Sequence, residues 1–153
     1  MTGSEPLGWR HATPNDADPL AEMNARLIRD EGSRNPMTVP ELADRMRGWL
    51  RSGEYQAIVF LSGSQTAAYA LYCKEDAGIY LRQLFVERSR RRHGIGRMAL
   101  GILRSSVWPL GARVRVEVLA TNSEGAAFWR SLGFSEYATT LELLPTAALG
   151  VGP

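Results

Sequence analysis

Hydrophobic and polar residues follow one another in two rhythms along this chain, and the change of rhythm divides it into elements. Between about Asn15 and Asp30, Leu20, Met23, Leu27 and Ile28 recur near one helical face. Thr13 stands before this run as an N-cap, with Pro14 at the first helical position and Asp16 in the first turn. EGSRNPM, 31–37, is broken by Gly32, Asn35 and Pro36 and reads as a loop. TVPE, 38–41, has the spacing of a capping box, and Leu42, Met46, Trp49 and Leu50 carry a second helix to a stop near Gly53. The period then shortens. YQAIVFL (55–61), TAAYALYC (66–73) and IYLRQLFV (79–86) read as strands joined by the short turns SGS and KEDAG, which predicts an antiparallel meander. GWRHA (8–12) reads as a short first strand. After a glycine-containing loop, a third helix is expected to run to about Trp108 and to end at Pro109 and Gly111. RVRVEVLA (113–120) alternates arginine and valine as a strand does. NSEGAAFWRSLGF (122–134) is a short helix capped by Asn122 or Ser123, with Gly133 just past its end. SEYATTLELL (135–144) is expected to close as a strand, and the tail 145–153 to be loose.

The order β-α-α-β-β-β-α-β-α-β is an α+β pattern. A chain of 153 residues is enough for one domain with one sizeable core, so a single domain over 1–153 is expected, its core at about 8–144. Hydrophobic residues at 44% and charged residues at 22% argue against disorder of the whole chain. No apolar run approaches the roughly 18 residues of a membrane span, so no membrane partner is expected. The N-terminal MTGSEPLGWRHATPND has no basic start followed by an apolar stretch, so no secretory signal is expected and a cytoplasmic location fits. Cys73 is the single cysteine, which rules out an internal disulfide; it reads as a small strand residue. No metal is expected.

The net charge of +2 hides a concentration of positive charge. Between Glu87 and Arg97 there are five arginines and one acid. In RSRRRHGIGRMALGIL (88–103) arginines and the glycines Gly94 and Gly96 stand at the mouth of a helix. The leading amides of a helix have no internal partner, and with the helix dipole they attract an anion. Glycine lets the backbone approach that anion, and arginine adds charge-assisted hydrogen bonds. The stretch therefore predicts a phosphate cradle of backbone donors from about Arg92 to Arg97, framed by arginine side chains. Three anionic partners compete. GIGRMA (94–99) fits the dinucleotide pattern G-x-G-x-x-A, with Glu117 about twenty residues on. That pattern needs a tight turn straight after a strand, whereas seven residues, Glu87 to His93, intervene here. Nucleic acid is set aside because no aromatics interleave with the arginines and no broad basic face is present. The third partner is the pyrophosphate of a coenzyme.

On that third reading the sequence resembles the GCN5-related N-acetyltransferases. The strand LRQLFV, the loop ERSRRRHGIG and the helix after it are similar to that family's cofactor motif, Q/R-x-x-G-x-G/A. Arg91-Arg92-His93-Gly94-Ile95-Gly96 matches each fixed position. Downstream, Asn122 to Phe134 resembles the family's N-x-x-A-x-x-F/L-Y-x-x-x-G-F, with Trp129 where the tyrosine often stands. The resemblance spans roughly 8–143. It implies a mixed, mostly antiparallel twisted sheet of six to seven strands flanked by about four helices. It implies acetyl-CoA as co-substrate and direct attack by a primary amine.

The resemblance also implies roles. The pyrophosphate would lie on Arg91, Arg92, His93, Gly94, Ile95, Gly96 and Arg97. Leu84, Phe85 and Val86 would pair with the pantetheine arm as a strand does, and an amide of Leu84 or Phe85 would polarise the thioester carbonyl. Asn122 would touch the pantetheine or phosphate region, and Phe128 and Trp129 would flank the thiol end. Indole is no practical proton source, so Tyr137 enters as a candidate general acid. Tyr80, near the position of a glutamate that serves some members as base, and Glu31 are candidates for the base. Asp30 and Glu31 in NARLIRDEGSRNPM (24–37) would draw a cationic amine, and Arg29 and Arg34 would hold a carboxylate. The expected acceptor is a small-molecule amine, with a protein N-terminus or lysine as the alternative. A non-catalytic acyl-CoA sensor is the competing class. A homodimer through the last strand region is also implied.

Overall fold

A computed structural model describes residues 6 to 145. The expected loose tail therefore lies outside the described residues except for Pro145. The elements are β1 (Gly8–His11), α1 (Ala17–Glu31), α2 (Val39–Ser52), β2 (Gln56–Ser62), β3 (Gln65–Glu75), β4 (Gly78–Val86), α3 (Ile95–Ile102), β5 (Val114–Arg115) and α4 (Ser123–Ser131). A 3-10 turn over Pro14–Asp16 precedes α1, and the Thr13 amide donates to Asp16 Oδ2 at 2.7 Å. The capping box of α2 forms as its spacing predicts: the Glu41 amide donates to Thr38 Oγ1 at 3.3 Å and the Thr38 amide to Glu41 Oε1 at 2.8 Å.

The sheet runs in the order β1-β2-β3-β4-β5. The first three junctions are antiparallel, so the meander is as expected, and β5 joins parallel to β4. Each face carries its own apolar cluster. Ile58, Phe60, Ala68, Ala70, Tyr72, Ile79 and Leu81 meet α3 and Trp108 on one side. Ala57, Val59, Tyr69, Leu71, Tyr80 and Phe85 meet α1 and Met46 of α2 on the other.

A bulge interrupts the β3–β4 register. Leu71 faces Gln83 while Tyr72 faces Leu81, which leaves Arg82 without an opposite residue. Side-chain alternation is reset there. Ile79 and Leu81 before the bulge, and Leu84 and Val86 after it, all pack on the α3 face. Tyr80 and Phe85 pack on the α1 face, where the Tyr69 hydroxyl donates to Gln83 Oε1 at 2.8 Å.

Two expectations are corrected. The described residues hold five strands rather than six to seven, and 135–144 forms none of them. A strand needs a paired edge, and β5 itself pairs over only Val114 and Arg115, opposite Ile79 and Tyr80, although 113–120 has a strand's alternation. Tyr137, Leu141 and Leu143 consequently stay 81%, 89% and 81% exposed. Ion pairs of Glu136 with Arg130 and of Glu142 with Arg34 hold this segment instead. The third helix reaches Trp108 as expected but changes its hydrogen bonding: Leu103–Val107 form a π-helical turn, closed by the Trp108 amide on Leu103 O at 2.8 Å.

Gly78 holds β5 against β4. Its φ is 145°, and a Cβ there would stand 2.2 Å from the Arg113 carbonyl oxygen. That oxygen accepts from the Ile79 amide at 2.8 Å. Gly78→Ala is expected to destabilise the protein by roughly 2 kcal/mol or more through backbone strain and loss of this bond. Urea denaturation of the two proteins checks it, and equal midpoints would refute it.

Candidate active site

The glycine loop sits between β4 and α3. Arg92 has φ 69°, a left-handed conformation that arginine seldom adopts, and Gly94, the N-cap of α3, has φ 74°. The two left-handed residues flank His93 in the turn that leads into α3. The first α3 amide to find a backbone carbonyl is that of Met98, on Gly94 O at 3.0 Å. The amides of Ile95, Gly96 and Arg97 are thus the unpaired leading donors of α3. Gly96 also allows a close approach: a Cβ there would lie 2.7 Å from Phe128 Cζ. Phe128 therefore packs on the head of α3. Trp129 packs edge-on to Phe128 and Phe134 and joins the α3-side cluster.

The arginines of the loop behave differently from the frame the sequence suggests. Arg88 and Arg91 both reach Asp30 at the end of α1, at 3.3 and 2.6 Å. Arg91 Nε also donates to Val86 O at 3.0 Å. Arg90 donates to Ser62 Oγ and Gln65 Oε1 at 2.9 and 2.7 Å, and Arg97 to Ser131 O at 3.0 Å. Arg26 of α1 grips Glu87 through both carboxylate oxygens at 3.0 and 3.1 Å. Four of the five loop arginines thus clamp the loop to α1, to the β2–β3 turn and to α4.

Two clefts lie beside this clamp. Arg26, Arg29, Asp30, Phe85, Arg88 and Arg91 line the smaller, a basic hollow. The larger, of about 370 Å³, is lined by Arg29, Asp30, Glu31 and Gly32 on one side and Thr121, Asn122, Ser123 and Glu124 on the other. The structure therefore brings Glu31 and Asn122, ninety-one positions apart by their numbers, to one cavity. Asn122 caps α4, its Oδ1 accepting from the Gly125 amide at 3.0 Å. Burial pushes the Glu31 carboxyl above its ordinary range, and the charge of Asp30 adds to this. Leu84, Phe85 and Val86 pair with Ala70, Tyr69 and Ala68 of β3. On the other side β4 has no strand partner beyond Tyr80 among the described residues, so the edge of 81–86 is open as expected.

The remaining candidates lie elsewhere. Tyr80 sits where β4 still pairs with β5; its hydroxyl donates to Glu117 Oε1 at 3.1 Å and Arg115 lies 4.1 Å over its ring. Burial and then Glu117 push its pKa up to about 12. Tyr137 is exposed beside Arg113, whose guanidinium carbon is 4.6 Å from its ring centroid. Neither tyrosine joins the cavity of Glu31 and Asn122. Arg34 is taken by Glu142 at 2.7 Å, whereas Arg29 lines both clefts.

Sequence reasoning missed a polar group on the α1 face: Tyr69, Gln83, Arg82, Arg45, Trp49 and Tyr55. Tyr69 is fully buried and bonded to Gln83, which is 9% exposed. A glutamine inside an apolar strand was the one available signal, since a buried amide demands a partner.

The fold is that of several solved acetyltransferases. One, described as a possible acetyltransferase from Clostridium difficile 630, is 19% identical with a TM-score of 0.73 and spans 93% of this chain and 99% of its own. An acetyltransferase from Thermus thermophilus is 19% identical with a TM-score of 0.72, over 86% of this chain and 88% of its own. A predicted acetyltransferase with acetyl-CoA from Clostridium acetobutylicum is 17% identical with a TM-score of 0.64, over 90% and 96%. No curated protein matches the chain. The model of the acetyltransferase (GNAT) family matches residues 22–134, most of the sequence. The chain belongs to this family, the acetyl-CoA-dependent acetyltransferases.

Two outcomes follow. Glu31→Gln removes a group whose folded pKa is raised. Protonation of Glu31 favours the folded state, so its stabilising effect is complete below the ordinary value of 4.5 and is lost as pH rises through the folded pKa. The variant is therefore expected to gain stability relative to the parent as pH rises above 4.5 toward neutrality. Urea midpoints at a series of pH values measure this, and a constant difference would refute it. Gly96→Ala is expected to push Phe128 off α3 and to lower the melting temperature, with a loss of about 1–3 kcal/mol as in other overpacked sites.

Proposed function

We propose that this single domain transfers the acetyl group of acetyl-CoA to the primary amine of a small molecule, with Glu31 as the base. The observation that carries the reading is the cavity between α1 and α4. It sets the Glu31 carboxyl, of raised pKa, across from Asn122, and Arg29 and Asp30 line both this cavity and the smaller hollow at Phe85 of β4.

These features fit the co-substrate. The amides of Ile95, Gly96 and Arg97 would hold the pyrophosphate, with Arg92 and His93 beside them. The open edge at Leu84, Phe85 and Val86 would hold the pantetheine arm by backbone bonds. Acetyl-CoA supplies the electrophile, an activated thioester carbonyl. Glu31 takes the ammonium proton, and a carboxyl of raised pKa is the better base for that step. Asp30, tied to Arg88 and Arg91, keeps α1 docked so that Glu31 faces the cavity. Trp129 packs, partly buried, against the α3-side core, and Tyr80 and Tyr137 stand apart from the cavity. The proton for the departing thiol therefore comes from solvent.

The purified protein is expected to melt at a higher temperature with acetyl-CoA and with CoA, and to be indifferent to NADH. A ligand at about 100 times its dissociation constant adds roughly 2.7 kcal/mol. No shift with either CoA species would sink the reading. In an assay of thiol release against an amine panel, Glu31→Gln is expected to lower kcat/KM by about a hundredfold or more and to erase the acidic limb of the pH profile. An unchanged limb would remove Glu31 from the role of base.

A further inference from the structure

A second group of positive charge, built from other residues than the glycine loop, lies on the α1 face at the bulge. Arg45 of α2 and Arg82 of β4 stand over the same indole, their guanidinium carbons 4.5 and 4.9 Å from the Trp49 ring centroid. Tyr55 completes the cluster. Its ring lies 4.7 Å from that of Trp49, and its hydroxyl accepts from Arg82 Nη1 at 3.3 Å. Aromatic faces of this kind hold guanidinium groups in fixed planes.

What the cluster lacks is an acid. Arg26, Arg34, Arg47, Arg88, Arg91 and Arg115 each hold a carboxylate. Arg45 and Arg82 hold none among the described residues. Arg45 Nε is buried and has no hydrogen-bond partner among the described residues. Two like charges on one ring repel, and a buried unpaired donor is costly. Burial and the charge of Arg82 accordingly both work against the Arg45 cation. An anion accepting from both guanidinium groups would relieve these penalties together.

The cluster also has a direction. Leu27 of α1, one turn before Glu31, packs in the same apolar cluster as Tyr69, and Trp49 lies against that cluster; the Tyr69 hydroxyl donates to Gln83, next to Arg82. The two cations and the end of α1 that carries Glu31 thus lie on the same face of the sheet.

The geometry points to a carboxylate-binding subsite at Arg45 and Arg82, so that the acceptor is an amine that also carries a carboxylate, of the amino-acid class. This rests on the acetyl-transfer reading: the two arginines take the carboxylate and the amine is presented to Glu31. Planar guanidinium pairs with planar carboxylate through two parallel bonds, which fixes the orientation as well as the affinity. Polyamines and aminoglycosides would bring further cations to a positive site and be rejected by repulsion.

The test is direct binding, read from the side-chain Nε–H signals of Arg45 and Arg82 in the NMR spectrum, assigned with Arg45→Lys and Arg82→Lys. The probes are the N-acetyl derivatives of the common L-amino acids, which carry the carboxylate of the product, and their carboxamides. At least one acid is expected to move both signals and to saturate. Its carboxamide is expected to bind about tenfold more weakly or worse, as loss of a charge-assisted bond implies. Arg45→Gln and Arg82→Gln should each weaken the acid to the same extent, the lysine variants less, and all should keep the acetyl-CoA melting shift. If no acid moves either signal, or if carboxamides bind equally well, the subsite is refuted. Failure of the acetyl-transfer reading shows itself separately, as a protein whose melt ignores acetyl-CoA.

Discussion

The bulge at Arg82 is the constraint on which the two faces of this molecule depend. A regular β4 would put Ile79, Leu81, Gln83 and Phe85 on one face and Tyr80, Arg82, Leu84 and Val86 on the other. That arrangement would drive Gln83 into the α3-side core and leave Leu84 and Val86 opposite it. One extra residue reverses the second half of the strand. Leu84 and Val86 reach the α3 side, while Gln83 and Phe85 turn to α1. Tyr69 then finds its partner. A buried hydroxyl left without one would cost about 1–3 kcal/mol, so the Tyr69–Gln83 bond and the bulge enforce each other.

The glycine loop depends on a different economy of charge. Exposed ion pairs contribute about 0–1 kcal/mol each, too little to explain a fold by their sum. Their value here lies in position. Asp30 meets both Arg88 and Arg91, and Arg26 meets Glu87, so the end of α1 is tied to the loop at three points. Arg91 adds a bond to Val86 O, and its guanidinium carbon lies 5.3 Å over the Phe85 ring. These contacts set the loop against the open end of β4 and leave the amides at the head of α3 as its unpaired donors. The larger cleft follows from the same docking, since its two walls are the end of α1 and the start of α4.

Much of this was legible in the residues. The meander, the capping box at Thr38 and Glu41, the stop at Gly53 and the cap at Asn122 all rest on short-range chemistry, and all formed. Long-range facts were not legible. The pattern of IYLRQLFV does not reveal which residue is extra, because apolar residues stand at both faces; only the register with β3 decides. The side-chain partners of the arginines of 88–97 could not be read, because Asp30, Ser62, Gln65 and Ser131 lie far away in sequence. The last strand failed for a related reason. SEYATTLELL has the alternation of a strand, but alternation supplies no edge to pair with, and Arg34 and Arg130 capture its acids instead.

Trp129 ties α4 to α3 by packing. Its ring contacts Phe128 and Phe134 edge-on, at centroid distances of 5.0 and 5.1 Å, and it belongs to the α3-side cluster. Phe128 in turn closes on Gly96. α4 is thereby fixed to α3 through an aromatic wedge and the Arg97–Ser131 bond. Indole is no practical proton source, so what the side chain at 129 supplies is this contact with Phe128 and Phe134. In the proposed reaction the residue at this position therefore acts through structure: it keeps α4 and its cap Asn122 at the wall of the cavity. Proton transfer in that proposal falls to a group that lines the cavity, as Glu31 does and Tyr80 and Tyr137 do not.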